Sequence, residues 1–348
     1  MHMADALISP AVGGAMWLAS AGLTAYASRT IDARSDGRLV PLMGVSGAFV
    51  FATQMINFGI PATGSSGHLG GGLLLAALLG PCPALVVMAS VLTIQSLFFA
   101  DGGLLALGCN IFNLGVCPCL IAYPLVFRPL LGSHTNLRRV FIASLAASIA
   151  GVELGAAGVV IQTALSNRAE LPFSTFLLLM LPIHLAIAVI EGLATTVILG
   201  FLWRARPDLQ PTRSQPTGYS QSVVPVAAGL LAAALVLGGF VSWFASTRPD
   251  GLEWSVAKAT GSSPLSGSTP LHAELSRLQE QSAILPDYGF LGDGGEAPAG
   301  ENEASSAHWP AAQLGSSVSG IAGSLFVVLA ACAVGWVSRA ARPKREPS

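Results

Sequence analysis

The first two residues place three nitrogen donors side by side: the α-amine of Met1, the backbone amide nitrogen of His2 and the His2 imidazole. Together they can close two adjacent chelate rings on one metal ion. A deprotonated amide nitrogen is a strong in-plane donor, and tetragonal nitrogen sites favour Ni(II) or Cu(II). A fourth nitrogen is on offer at His68, in the stretch Gly64-Ser65-Ser66-Gly67-His68-Leu69-Gly70-Gly71-Gly72. Its small neighbours permit close backbone approach, which a chain end threading into a helix bundle requires. Met1, His2 and His68 are therefore the expected metal ligands. Gln54 and Asn57 are placed to orient imidazoles, or to serve as ordinary hydrogen bonds between helices.

The chelate needs a free chain start. A bulky His2 hinders removal of the initiator residue, so Met1 is expected to remain. No basic n-region precedes the first apolar run, and Asp5 interrupts its start, so a cleaved signal peptide is not expected.

Other residues with chemistry read differently. His184 and Glu191 lie seven residues apart on one helix face. Ionisable residues inside a membrane default to a functional hypothesis. These two are expected deeper than the metal site, in helix packing or partner contact rather than ligation. Asp101-Gly102-Gly103 reads as a tight turn, and Asn110 and Asn113 as bonds to a neighbouring helix. Cys117-Pro118-Cys119 has the form of a metal or redox motif but sits in an apolar run. With Cys82, Cys109 and Cys332 it is expected to supply buried thiols, not disulfides. His272 and His308 are expected to be solvated loop residues.

The elements that must position these groups follow from composition. The chain has 348 residues, 52% hydrophobic and 10% charged, where a soluble domain carries about 25% charged residues. So little charge cannot cover a soluble surface, and the chain reads as all-α, a polytopic transmembrane helical bundle in the lipid bilayer. A net charge of −1 argues against nucleic acid as a partner. Nine crossings are predicted, near 10–27, 40–59, 69–80, 83–100, 104–127, 138–165, 173–203, 224–245 and 318–338: seven helices, then two more in a C-terminal module. The third is short for a bilayer of about 30 Å, and it ends in the helix break Gly80-Pro81.

Arginines and Lys344 collect in alternate loops: Arg29, Arg34 and Arg38; Arg128, Arg138 and Arg139; Arg204, Arg206 and Arg213; Arg339, Arg342, Lys344 and Arg345. That side is cytoplasmic by the positive-inside rule. The N-terminus and His68 then face the exterior, and the C-terminus the cytoplasm. The division expected is 1–205 as the metal-binding component, 206–222 as a cytoplasmic linker, and 223–348 as a second module. Residues 246–317 of that module form an extracytoplasmic loop or small, loosely packed domain.

These residues carry a family resemblance. Met1-His2 with Asp5 and Ser9-Pro10, Gly67-His68-Leu69 with Gly71, and Leu79-Gly80-Pro81 are its first part. Gln95, Asp101-Gly102-Gly103, Leu107-Gly108-Cys109-Asn110 and His184 with Glu191-Gly192 continue it. Over about 1–205 the chain resembles the CbiM/NikM family, the membrane substrate-binding component of nickel/cobalt energy-coupling-factor transporters. It departs at Ala4 and Ala6, which leaves the ligands intact. Pro249-Asp250-Gly251-Leu252-Glu253, Pro286-Asp287-Tyr288 and Gly320-Ile321-Ala322-Gly323 resemble the small accessory component of the same systems.

The resemblance implies a natural fusion with the accessory loop near the metal site, the metal being held by the N-terminal amine, His2 and His68. It implies ATPase subunits and a coupling transmembrane subunit on other chains, and residence in a bacterial inner membrane. The chain itself lacks a Gly-x-x-x-x-Gly-Lys-Ser/Thr stretch. No enzymatic activity, catalytic residue or cofactor is expected, and Ni²⁺ or Co²⁺ is substrate. A secondary, gradient-driven metal transporter is the alternative, with only Glu153 and Glu191 as intramembrane carboxylates. A membrane metalloprotease would want His-Glu-x-x-His, which does not occur. A passive structural subunit would show no metal affinity.

Overall fold

The structure is a computed structural model. It describes residues 1–31, 38–133, 136–167, 171–210, 222–261, 267, 269–290 and 314–340, with backbone alone for 335, 336 and 338–340. The described residues are almost wholly helical. In chain order the helices are α1 (Pro10–Thr30), α2 (Leu39–Gln54), α3 (Gly72–Leu79), α4 (Pro81–Phe99), α5 (Leu107–Leu131) and α6 (Leu137–Leu165). Then come α7 (Phe173–Ala205), α8 (Val224–Gly239), α9 (Gly251–Thr260), α10 (Pro270–Ser282) and α11 (Leu314–Ala340). A two-residue hairpin, β1 (Phe58–Gly59) with β2 (Ser66–Gly67), is the small strand pair.

The chain is a multi-pass membrane protein. Among the described residues, five helices are long and apolar enough to span a bilayer: α4, α5, α6, α7 and Leu314–Val334 of α11. The apolar helices α2 and α8 have only 16 residues each. Helix α1 is long enough, but its glycines, serines and threonines leave it less apolar than the five. Helix α3 corrects one expectation. It has eight residues, about 12 Å at 1.5 Å per residue, less than half of a ~30 Å hydrocarbon core. Residues 69–80 therefore do not make a crossing of their own. Gly80, at φ 86°, turns the chain straight into α4.

Helices α1 to α7 surround the chain start. Helix α6 packs along α7 and α5, while α8 and α11 lie against α2. Close approach there rests on glycine: a Cβ at Gly323 would collide with the Phe51 ring. One continuous apolar core includes Phe51, Phe99, Met88, Leu230, Val327 and Ala331. All five cysteines are free thiols, as expected.

The loop arginines gather away from the chain start. Arg38 Nη1 lies 3.4 Å and Arg206 Nη2 2.7 Å from Asp208 Oδ2, joining the start of α2 to the end of α7. Arg139 Nη1 donates to the Leu131 carbonyl at 3.4 Å where α5 ends and α6 begins. Arg34, Arg213, Arg342, Lys344, Arg345 and the Arg339 side chain lie outside the described residues.

Candidate functional site

The chain start is buried inside the bundle. Met3 and Ile8 are fully enclosed. Asn110 holds Met3 in strand-like fashion: its Oδ1 accepts from Met3 N at 2.8 Å and its Nδ2 donates to Met3 O at 3.2 Å. Gly103 N donates to the same carbonyl at 2.9 Å. Asn110 thus bonds the N-terminal segment rather than a neighbouring helix, whereas Asn113 bonds Gln162 of α6 at 2.8 Å. Asp5 Oδ1 accepts from Ala106 N at 2.9 Å, just ahead of α5. A Cβ at Gly103 would strike the Asp5 carboxyl and amide nitrogen, so the turn needs glycine there. Ser9 then caps α1, accepting from Val12 N at 3.4 Å, with Pro10 in the first turn.

This threading brings the predicted donors together. Met1 N lies 3.3 Å from His68 Nε2. His68 Nδ1 faces the Leu69 carbonyl at 3.2 Å. That contact assigns the proton to Nδ1 and leaves the Nε2 lone pair toward the amine. The His2 and His68 rings are nearly parallel, 16° apart with centroids 5.1 Å apart. His2 Nδ1 lies 3.3 Å from Asp101 Oδ1, and its Nε2 is buried with no partner. Burial, the neighbouring N-terminal charge and His2 lower the His68 pKa to about 3. Burial likewise lowers that of His2, outweighing Asp101. Both imidazoles are therefore neutral, the form that binds metals.

The backbone around His68 is pinned by polar side chains from two helices, one of them held in turn by a third. Glu191 of α7 accepts from Gly70 N at 2.9 Å and Gly71 N at 3.1 Å. Gln54 of α2 donates to Gly70 O at 2.7 Å and accepts from Gln95 of α4 at 2.8 Å. Gln54 thus orients the loop that carries His68, not an imidazole directly. Asn57 takes part through its backbone, accepting from Ser246 N at 2.7 Å.

A cavity of about 20 Å³ is lined by Met1, His68, Asn113, His184, Glu191 and Asp250. That is room for about one water-sized occupant. His184 and Glu191 therefore do not sit deeper than the chain start; they line the same cavity. The sequence places them by helix position alone, and the depth to which the chain start descends decides the matter.

The described residues 246–261, 267 and 269–290 pack closely against this centre, which corrects the expectation of a loosely packed segment for that part. Ser66 N donates to Pro249 O at 2.8 Å, and Ser66 Oγ to Arg248 O at 2.7 Å. Asp250 caps α9 through Oδ1, which accepts from Leu252 N and Glu253 N, both at 2.8 Å. Glu253 accepts in return from Asp250 N at 3.0 Å, a capping box. The other Asp250 oxygen, Oδ2, lies 2.8 Å from Met1 N. Burial pushes the Asp250 carboxyl up, but the N-terminal charge and its hydrogen bond outweigh that and hold it well below the usual range. Gly251 faces His184, Ile183 and Ile187 with no room to spare.

Helix α10 and the turn after it finish α4. Gln279 donates to Ser96 O at 2.9 Å, Ser282 to Leu97 O at 2.8 Å, and Ile284 N to Phe98 O at 3.0 Å. These are last-turn carbonyls that a helix end leaves without internal partners. His272 is buried rather than solvated, with Nε2 3.0 Å from Ile8 O and Nδ1 2.6 Å from Thr269 Oγ1. His308 lies outside the described residues.

A wider vestibule of about 600 Å³ adjoins the centre, bordered by Asp5, Asp101, Asp250, Glu253 and Asp287 as well as His2. Among the described residues, no group of three or more His, Cys, Asp or Glu side chains is gathered as a metal cage. The donors assembled here are two imidazoles and the amine of the chain itself. The roles of Asp250 and Tyr288 beside them escaped the sequence reading. An Asp-x-x-Glu spacing such as Asp250 to Glu253 is a general mark of a helix start and carries no sign of a contact to Met1.

Residues 2–209 match the family described as the cobalt uptake substrate-specific transmembrane region, and residues 225–340 match the PDGLE domain. The chain is 31% identical over 315 residues to the fused nickel transport protein NikMN of Rhodobacter capsulatus, covering 83% of this chain and 88% of that one. It is 30% identical over 217 residues to the cobalt transport protein CbiM of Geobacter sulfurreducens, covering 60% and 61%. The crystal structure of a truncated transition metal transporter superposes with a TM-score of 0.52 at 27% identity, covering 59% of this chain and 99% of that one.

Proposed function

The chain belongs to the family of cobalt uptake substrate-specific transmembrane regions, in a form fused to a PDGLE domain, and on that premise we propose that it captures Ni²⁺ or Co²⁺ for ATP-driven uptake, with Met1, His2 and His68 as the metal ligands. The observation that carries this reading is the 3.3 Å separation of Met1 N and His68 Nε2 in a buried cavity. Two nitrogens each about 2.0–2.1 Å from one ion and at right angles to it stand roughly 2.9 Å apart. The pair needs only a small contraction to share a metal.

The His2 amide nitrogen, bonded in sequence to the Met1 residue, closes the first chelate ring. The second ring needs His2 Nδ1, which now faces Asp101. A half-turn of the imidazole about its Cβ–Cγ bond exchanges the two edges of the ring. Nδ1 would then be free for the ion, and Nε2 would take the place of Cε1, next to the position from which Nδ1 faces the carboxylate. The ion replaces protons on the amine and the amide, so the Asp250 contact to the ammonium must yield as the metal enters. The acidic vestibule supplies a path on which a hydrated dication is attracted before it sheds water.

The arginine ends lie away from the site, which supports an exterior chain start and a cytoplasmic C-terminus in a bacterial inner membrane. The reading keeps the division into 1–205, 206–222 and 223–348. It assigns ATP hydrolysis to separate ATPase subunits and force transmission to a separate coupling subunit.

The test is titration of Ni²⁺ and Co²⁺ into the purified chain with its native start, beside a version extended by one residue before Met1. The extension turns the α-amine into an amide and moves His2 from the second position. Tight binding by the native form alone supports the chelate; equal binding by both removes it.

A further inference from the structure

We propose that Tyr288, in the turn after α10 of the fused module, is a positioning residue for the His2 imidazole and acts on it through Asp101. Tyr288 donates its hydroxyl to Asp101 Oδ2 at 2.5 Å. The other oxygen of the same carboxylate, Oδ1, lies 3.3 Å from His2 Nδ1. A short hydrogen bond to an ionised acceptor is among the stronger kinds and fixes the carboxylate plane. A fixed carboxylate plane in turn defines where an imidazole N–H is accepted.

The backbone at this turn points the same way. Asp287 and Tyr288 have φ of 50° and 61°, consecutive left-handed residues with no glycine between them. Such conformations persist only where the surroundings over-determine them. Here the Tyr288 ring stacks on Phe99 with centroids 5.0 Å apart and meets Phe51 edge-on at 6.3 Å. Phe51 and Phe99 are themselves fully buried. Ring packing alone would be served as well by phenylalanine. The hydroxyl is what reaches Asp101.

The inference rests on the metal-capture reading and deepens it. Were His2 to turn and offer Nδ1 to the ion, Nε2 would take the place of Cε1 beside Asp101, and the carboxylate, held by Tyr288, would accept its proton. A carboxylate–histidine–metal relay of this kind orients the ring and raises its basicity, and losing the outer partner costs about 10–100-fold in metal affinity. The accessory module thereby adjusts the affinity of a site whose ligands all lie in the first 68 residues, without supplying a ligand.

The test compares the full chain with Tyr288→Phe, Asp101→Ala and the double variant by Ni²⁺ titration. Tyr288→Phe keeps the ring packing and should lower affinity about 10–100-fold with an unchanged Ni²⁺ absorption spectrum. In the Asp101→Ala background it should have no further effect. Native affinity in Tyr288→Phe overturns the inference, and so does a full additional loss in the double variant. A second readout needs no metal. ¹⁵N NMR of histidine-labelled, metal-free protein should report His2 protonated at Nδ1, and Tyr288→Phe should move it toward a mixture of tautomers. An unmoved His2 signal overturns the inference. If the native chain takes up no nickel, the capture reading fails, while the NMR comparison still decides whether Tyr288 positions His2.

Discussion

Met1 N and Asp250 Oδ2 lie 2.8 Å apart although 249 residues separate them along the chain. One carboxylate closes two jobs: Oδ1 caps α9 and Oδ2 holds the amine at the chain start. The accessory segment and the nitrogen cluster are therefore mechanically joined.

Replacing Asp250 by alanine should undo both jobs. Loss of an N-cap costs about 1 kcal/mol, and loss of a hydrogen bond to a charged group about 1.5–3 kcal/mol. Hydrogen exchange at Leu252, Glu253 and Trp254 should accelerate by at least roughly tenfold, while α4 to α7 keep native protection. Unchanged exchange across α9 would show that its docking rests elsewhere.

His68→Ala removes a proposed ligand and should weaken Ni²⁺ binding by at least about 100-fold, with a changed absorption spectrum as the in-plane donor set loses a nitrogen. Calorimetry and spectroscopy on the same sample check it. Retention of both native affinity and native spectrum would remove His68 from the site.

Gly103→Ala tests the seating of the chain start. Its added methyl would occupy space taken by Asp5, so Met3 and Asp5 could not both keep their bonds. Overpacking of this kind typically costs 1–3 kcal/mol. The bundle should stay folded by circular dichroism while nickel affinity falls about tenfold or more; native affinity would mean that the turn can shift at little cost.

Metal affinity should fall as pH falls, by a factor of about ten per pH unit for each proton released. The direction follows from the ligands: metal binds the deprotonated amine and amide, and acid restores their protons. His68 does not set this slope between pH 5 and 8, because burial first, and then the neighbouring N-terminal charge and His2, keep its imidazole neutral down to about pH 3. The His2 pKa moves in the same direction, lowered by burial against the pull of Asp101. Proton release measured by calorimetry in buffers of different ionisation enthalpy checks the sign; affinity that rises in acid would contradict it.

The acidic vestibule gives a kinetic prediction. Raising salt from 0.1 M to 1 M shortens the screening length from about 10 Å to about 3 Å. The association rate of Ni²⁺ should then drop by about an order of magnitude with little change in dissociation. Stopped-flow mixing distinguishes this from a salt effect on dissociation.

The residues of the proposed site stand out in local residue types. A histidine at position 2 and a second in a run of small residues are each unusual, and the fold brings them to one cavity. Depth was not legible. Hydropathy identifies an apolar run but cannot tell an eight-residue half-helix from a short span, so 69–80 has the hydropathy of a crossing although α3 is too short to make one. Nor can it place His184 and Glu191 beside a chain start whose descent is set by Asn110 and Gly103.

Composition and adjacency carry part of this chemistry on their own. A charge-poor helical chain must lie in a membrane, and an amine, amide and imidazole within two residues offer the nitrogens of the proposed chelator. Which distant groups surround those nitrogens follows from tertiary packing alone. Asp250 reaches Met1, Tyr288 reaches His2 through Asp101, and Glu191 holds the His68 backbone. Each of these depends on helix ends left with unpaired polar groups, on turns that admit a close approach, and on packing that hydropathy does not encode. Their partners are found across more than a hundred residues of chain, where no local pattern carries the information.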